Sequence, residues 1–316
     1  MKIVVLDAMT LGEDIDLSPL YEQGDVVLFD YTEPDKTAER IKDADIVVTN
    51  KVVINREHME KAGNLKLICV AATGYNNIDI PATLELGIVA TNVKGYSTES
   101  VAQYVFANLL FVMNSIEGYR NDIARGQWQK SPVFTLLTHP IYELKGKTLG
   151  IIGYGNIGRR VAQIANAFGM NVLVAKRPGV DYKDDFRVDL EYLLKQSDVV
   201  SIHTPLTEET ENLITLDRLK MMKQSAILIN AARGGIVNED DLYVALKNRI
   251  ISYAIVDVLS QEPPSPGCKL FELDNIVITP HIAWTSKEAR QKLLDGIVDN
   301  IIKFKLGKIK EIQLTS

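Results

Sequence analysis

Short runs of aliphatic and β-branched residues, each followed by a polar or glycine-containing turn, recur from the first residues to about position 278. They predict strands over 3–6, 26–29, 46–48, 67–71 and 88–90. A second series falls at 148–152, 172–175, 199–202, 226–229, 254–258 and 276–278. Segments with polar starts and apolar residues at helical spacing lie between them, at 34–42, 55–62, 157–168, 190–195, 216–222 and 239–247. Continuously apolar strands alternating with helices imply parallel sheets covered on both faces. The expected fold class is α/β, with two doubly wound parallel-sheet domains.

Two longer helical patterns interrupt the alternation. One starts near Ser97-Thr98-Glu99-Ser100 and runs to about 125, with Val101, Val105, Leu109 and Val112 on one stripe. The other covers about 285–305 and carries Leu293, Leu294, Ile297, Val298, Ile301 and Ile302. A helix that follows a domain's final strand often packs back onto the preceding domain. The expected organisation is one domain from 1–98 plus 286–316, with a second domain, 99–285, inserted into it. Two crossings of the chain would make a hinge, and a hinge would make a cleft.

Composition narrows the class. The chain has 316 residues, 46% hydrophobic and 24% charged, which excludes a disordered or fibrous protein and exceeds what one core usually supports. A net charge of −6 argues against nucleic acid or an anionic membrane as partner. Cys69 and Cys268 are too few for a disulfide framework or a structural zinc site, so no metal is expected. The opening apolar run stops at Asp7, too soon for a signal peptide. The stretch 101–113 is too short for a bilayer and contains Gln103 and Asn108. A cytoplasmic protein is expected.

The run Gly153-Tyr154-Gly155-Asn156-Ile157-Gly158 fits G-x-G-x-x-G, between a predicted strand and a predicted helix. In that context the first glycine permits a tight turn, the second admits a pyrophosphate, and the third lets helix and strand pack closely. The helix N-terminus adds free N–H groups and partial positive charge. A dinucleotide site is therefore expected. An acid at the end of the next strand would take the ribose 2′-hydroxyl of NAD, whereas cations suit the 2′-phosphate of NADP. Lys176 and Arg177 stand there, which favours NADP(H), with NAD(H) as the alternative.

Hydride chemistry at a carbonyl needs a proton donor and a charge that holds an acid substrate. Of four histidines, His58 lies in a polar helix and His139 in a loop. His203 precedes Pro205 at a strand end, where a cofactor contact is the better reading. His281 also follows a strand, in Thr-Pro-His-Ile-Ala-Trp. Ligands of open α/β sheets bind outside such carboxyl ends. Two other strands run into Asn230-Ala231-Ala232-Arg233-Gly234-Gly235 and Leu259-Ser260-Gln261-Glu262. Arg233 is a permanent, bidentate carboxylate binder, and Glu262 beside an imidazole favours its cationic form.

The order Gly153–Gly158, Arg233, Glu262, His281 resembles the D-isomer-specific 2-hydroxyacid dehydrogenases. The segments 72–79, 95–103, 144–158, 200–206 and 230–235 carry the same resemblance, which covers essentially the whole chain. Within the family, the opening MKIVVLDAMTLGEDIDL and GYST-x-SVAQ look most like the glycerate dehydrogenase (hydroxypyruvate reductase) branch. The resemblance implies a Rossmann NAD(P)-binding domain inserted into a flavodoxin-like substrate domain. It also implies hydride transfer between nicotinamide and a small 2-keto acid, with His281 as proton donor, Glu262 orienting it and Arg233 holding the carboxylate. Thr73 and Gly74 become substrate-carboxylate candidates, Ala231 and Asp257 lie near the nicotinamide, and Trp284 walls the pocket. A homodimer through the helix after Thr98 is implied as well. A dinucleotide-sensing protein like the C-terminal-binding-protein corepressors, on the same architecture, is the alternative from another class.

Overall fold

The computed structural model of the protein describes residues 1–177, 180, 182 and 186–314. The chain forms two compact units, Met1–Ser97 together with Thr285 onwards, and Thr98–Trp284. In the first unit the strands are β1 (Lys2–Val5), β2 (Asp25–Leu28), β3 (Ile46–Thr49), β4 (Leu67–Val70) and β5 (Val89–Asn92). All are parallel, in the order β2-β1-β3-β4-β5. This is the order of flavodoxin-like sheets.

Helices α1 (Ser18–Tyr21), α2 (Thr37–Ile41), α3 (Arg56–Glu60) and α4 (Ile80–Glu85) connect these strands. Local sequence sets two of their starts. Asn55 accepts a hydrogen bond from the His58 amide at 3.0 Å, while His58 Nδ1 accepts one from the Asn55 amide. His58 therefore completes a capping box, in which each residue satisfies an amide the helix leaves open. Asp79 accepts from the Ala82 amide at 3.0 Å, with Pro81 in the first turn of α4.

Alternation along the strands separates two buried faces. Val4, Leu6, Val47, Ile68 and Val70 share a core with Ile41, Met59 and Ile80. The alternate residues Ile3, Val5, Val48 and Cys69 are buried too. The C-terminal helix (Lys287–Lys305), capped by the Ser286 hydroxyl, packs against β4. Gly296 lies inside that helix because a side-chain carbon there would come within 2.5 Å of Val93 Cγ1.

The second unit begins with α5 (Thr98–Met113) and α6 (Ile116–Ala124). The apolar stripe predicts a single helix to about 125, but Asn114 and Ser115 break it. Ser115 adopts φ 49° and its hydroxyl donates to the Pro140 carbonyl, while the Asn114 amide donates to the Leu110 carbonyl. Short polar side chains that bond nearby backbone compete with helix continuation. No residue of α6 is buried, so packing does not oppose the break. His139, in the following loop, pairs with Asp122 at 3.0 Å.

Seven parallel strands follow: β6 (Thr148–Ile152), β7 (Asn171–Ala175), β8 (Arg187–Val188), β9 (Val199–Ile202), β10 (Ile227–Asn230), β11 (Tyr253–Val256) and β12 (Ile276–Ile278). Their order is β12-β11-β10-β9-β6-β7-β8. Counted from β6 this is the dinucleotide-fold order 3-2-1-4-5-6 with one further strand, so the expected fold class is observed. Helices α7 (Asn156–Ala167), α8 (Leu190–Gln196), α9 (Leu216–Met221) and α10 (Glu239–Lys247) lie between the strands. Leu149, Ile151, Ile227, Ile229 and Ile255 pack with α5 and α7. Ile152, Val200, Ile202, Leu228 and Val256 form a core with α8, α9 and α10. Two covered faces explain why these strands read as unbroken apolar runs.

The close approach at Gly296 predicts that Gly296→Leu lowers stability by about 1–3 kcal/mol through overpacking. Urea unfolding measures this, and an unchanged midpoint would contradict the packing described.

Candidate active site

The turn after β6 is built on its glycines. Gly153 adopts φ +95°, and a side-chain carbon there would lie 2.5–2.6 Å from the backbone of His203 and Thr204. Gly158 packs against the Gly153 carbonyl, so helix α7 leaves the strand with no room for a side chain. Gly155, by contrast, has open space where a side chain would project. Tyr154 and Asn156 are bridged by Arg159, which donates to the Tyr154 carbonyl at 3.1 Å and to Asn156 Oδ1 at 2.7 Å. Ile157 is half-buried against the α5–α7 core. An open glycine before the amino end of a helix fits a pyrophosphate.

Lys176 and Arg177 follow β7. Their charged ends lie 3.6 Å from Asp189 and 3.6 Å from Glu209 respectively. Both pairs are exposed, so these contacts are weak and open to exchange. His203 follows β9, with Nε2 2.9 Å from Ser201 Oγ. Its Nδ1 is covered and has no partner among the described residues. Burial lowers its pKa from 6.5 to about 4, so the ring is neutral. The unpartnered nitrogen and the open glycine both suit a polar ligand along this edge. Pro205, in the same turn, is exposed.

Three neighbouring strand ends carry the remaining groups, since β10, β11 and β12 are adjacent. After β10, the buried Asn230 side chain accepts from the Ala232 amide and donates to the Arg233 carbonyl. The half-buried Arg233 donates to the Ala232 carbonyl at 2.7 Å. These bonds shape the turn that holds Ala231 and Arg233. Beyond β11, Glu262 accepts from the Leu259 amide through Oε1 and meets His281 Nδ1 through Oε2 at 2.6 Å. A carboxylate only accepts, so Nδ1 carries the hydrogen and Nε2 is left for a substrate.

His281 itself has φ 56°, in the left-handed region. For a non-glycine residue this costs about 1–2 kcal/mol. Asp257 offsets the strain. Its buried carboxylate accepts from the Thr279 hydroxyl at 2.6 Å and from the Ile282 and Ala283 amides at 2.8 Å, and its carbonyl accepts from the His281 amide. Burial raises the Asp257 pKa, and these hydrogen bonds work against that rise. The family resemblance implies that Asp257 lies near a nicotinamide; in the structure both its carboxylate oxygens accept from its own chain. Thr279 was not among the candidate residues; its signal is a hydroxyl two positions before His281.

Trp284 is half-buried against the α5–α7 core. In the first unit, Thr73 and Gly74 follow β4. The Thr73 hydroxyl donates to the Val93 carbonyl and its own carbonyl accepts from Asn92. Among the described residues no cluster of His, Cys, Asp or Glu could hold a metal, and no helix is long and apolar enough to cross a membrane.

The chain is similar to several known proteins. A family model described as "D-isomer specific 2-hydroxyacid dehydrogenase, NAD binding domain" matches residues 106–283. A glycerate dehydrogenase of Methylorubrum extorquens is 43% identical over 281 residues, 88% of each chain. A hydroxypyruvate reductase of Blautia hydrogenotrophica is 38% identical over 97% of this chain and 98% of its own. Among solved structures, an acyclic imino acid reductase in complex with NADPH and D-Arg gives a TM-score of 0.86 at 31% identity, covering 99% of this chain and 100% of that one. A D-lactate dehydrogenase of Aquifex aeolicus, complexed with NAD and lactic acid, gives 0.83 at 27% identity over 100% and 99%.

The neutral His203 has a consequence for stability. The unfolded imidazole takes up its proton near 6.5 and the folded one near 4, so between these values the unfolded chain binds more protons. Stability is expected to fall as pH drops from about 6.5 towards 4, and less steeply in His203→Gln. Urea midpoints at pH 7 and pH 5 measure this; equal losses in both proteins would contradict the assignment.

Proposed function

Because the chain belongs to the D-isomer specific 2-hydroxyacid dehydrogenase family, we propose that it reduces a small 2-keto acid, hydroxypyruvate to D-glycerate or glyoxylate to glycolate. The observation that carries this reading is the 2.6 Å contact between His281 Nδ1 and Glu262, beside the turn that bears Arg233. When bound, the dihydronicotinamide supplies the hydride to the substrate's C2. His281 donates a proton from Nε2 to the carbonyl oxygen, which would otherwise accumulate negative charge. Glu262 fixes the orientation and tautomer of the ring. The Arg233 guanidinium takes the substrate carboxylate. Thr73 and Gly74 of the first unit are further candidates for the substrate carboxylate, and Trp284 of the second unit is the candidate for an apolar wall.

Gly153–Gly158 would hold the cofactor's pyrophosphate, with His203 and Pro205 as further cofactor contacts and Ala231 and Asp257 on the nicotinamide side. Lys176 and Arg177 receive a 2′-phosphate, which makes NADP(H) the preferred form over NAD(H). Their contacts with Asp189 and Glu209 are exposed and easily redirected. NADPH in the imino acid reductase and NAD in the D-lactate dehydrogenase mark the two options among related structures.

A homodimer is proposed as the working assembly. Val101, Val105 and Leu109 of α5 are buried in their own unit, but downstream of them Ile123, Trp128, Phe134, Leu137 and Ile141 are exposed. Phe134 and Leu137 are 90% and 83% accessible, more than a monomer's surface normally tolerates in one segment. The partner face is therefore α6 and the segment after it. The two free thiols accord with a cytoplasmic location.

His281→Ala is expected to lower kcat by about 10²–10⁴-fold with little change in cofactor affinity. Near-normal turnover would remove His281 from the chemistry. Lys176→Asp should shift the ratio of kcat/KM values from NADPH towards NADH; an unchanged ratio would sink the 2′-phosphate assignment.

A further inference from the structure

Helix α5 presents two hydroxyls, Ser100 and Tyr104, one turn apart on one face of a largely apolar helix. Both reach the segment that carries His281. Ser100 Oγ donates to the Ala283 carbonyl at 2.7 Å, and Tyr104 OH lies 2.6 Å from Thr279 Oγ1. Thr279 spends its own hydrogen on Asp257 Oδ1 at 2.6 Å. An ionised carboxylate cannot donate, so the order of donation is fixed: Tyr104 to Thr279, Thr279 to Asp257. Tyr104 is 9% exposed, and burial pushes its pKa above the ordinary value, so it remains a donor.

The carboxylate at the end of this relay also accepts the Ile282 and Ala283 amides, immediately after the left-handed His281. The turn 279–283 is therefore gripped at three points: Thr279 by Tyr104, the 282–283 amides by Asp257, and the Ala283 carbonyl by Ser100. A strained backbone persists only when its surroundings over-determine it. The ring position of His281, and so its contact with Glu262, follows from this backbone.

We propose that Ser100 and Tyr104 are positioning residues for His281, acting through Thr279 and Asp257. Neither touches the reacting atoms; they fix where the proton donor stands. The inference rests on the proposed role of His281 as that donor. Positioning of this kind is worth about 10- to 100-fold in rate when lost, and it acts on kcat more than on KM.

The test is a double-mutant cycle. Tyr104→Phe, which keeps the ring and removes one hydroxyl, is expected to lower kcat with the 2-keto acid by about 10-fold or more, with KM and cofactor Kd changed less than about 2-fold. In the His281→Ala background the same substitution should have no further effect, because nothing remains to be positioned. An equal loss in both backgrounds would mean that Tyr104 serves general structure, and would overturn the proposal. Ser100→Ala provides a second variant should Tyr104→Phe fold poorly, with the same expected cycle. Thr279→Ser should recover most of the activity lost in Thr279→Val, since the relay needs the hydroxyl. If His281→Ala abolishes turnover while Tyr104→Phe and Ser100→Ala leave it unchanged, positioning is wrong and the acid–base reading stands. If His281→Ala itself turns over normally, the underlying reading fails instead.

Discussion

A single buried carboxylate, Asp257, holds the backbone on which the second unit places His281. Its two oxygens accept a hydroxyl and two amides from the segment 279–283, and its carbonyl accepts the His281 amide. Burying such a charge is costly unless it is fully hydrogen-bonded, and here it is. The bonds it makes are what allow His281 to occupy a left-handed backbone conformation that its side chain disfavours. The Glu262 contact, which leaves Nε2 directed elsewhere, follows from that placement.

The sheet provides the frame for this arrangement. Parallel strands β10, β11 and β12 end side by side, and each contributes one group from the turn beyond it. The glycine turn after β6 lies on the other side of β9, so the same edge holds both the nucleotide loop and the chemical residues. Charge is distributed to match. The chain is acidic overall, at −6, yet Lys176, Arg177 and Arg233 all follow strands of this sheet, where the proposed anionic substrate and cofactor would meet them. Net charge describes the exposed surface, while local charge describes what binds.

Much of this was legible from residue pattern because the informative features are local. Period, turn chemistry and G-x-G-x-x-G identify strand ends, and ligand-binding residues in such sheets stand at strand ends. Gly153, Arg233, Glu262 and His281 are read as candidates in this way, and each follows a strand of the second sheet. Other features were hidden by distance along the chain. Tyr104 and Thr279 are 175 residues apart, and Ser100 and Ala283 are 183 apart, so no window of sequence links them. Their one local trace is a pair of hydroxyls at i and i+4 on an apolar helix. The break at Ser115 was missed because its cause is a hydrogen bond to Pro140, outside the helix. The strand Arg187–Val188 is too short to show a period. His58 reads as a surface residue until its imidazole is seen to complete a helix cap.

Reduction of a small 2-keto acid, stereospecific where the product is chiral, is the chemistry proposed for this edge of the sheet. The most direct measurement follows NADPH and NADH oxidation with hydroxypyruvate, glyoxylate, pyruvate and larger 2-keto acids, with chiral analysis of the product. Turnover is expected with hydroxypyruvate or glyoxylate, with D-glycerate as the product from hydroxypyruvate. Absence of oxidation with every 2-keto acid, or formation of the L-isomer, would contradict it.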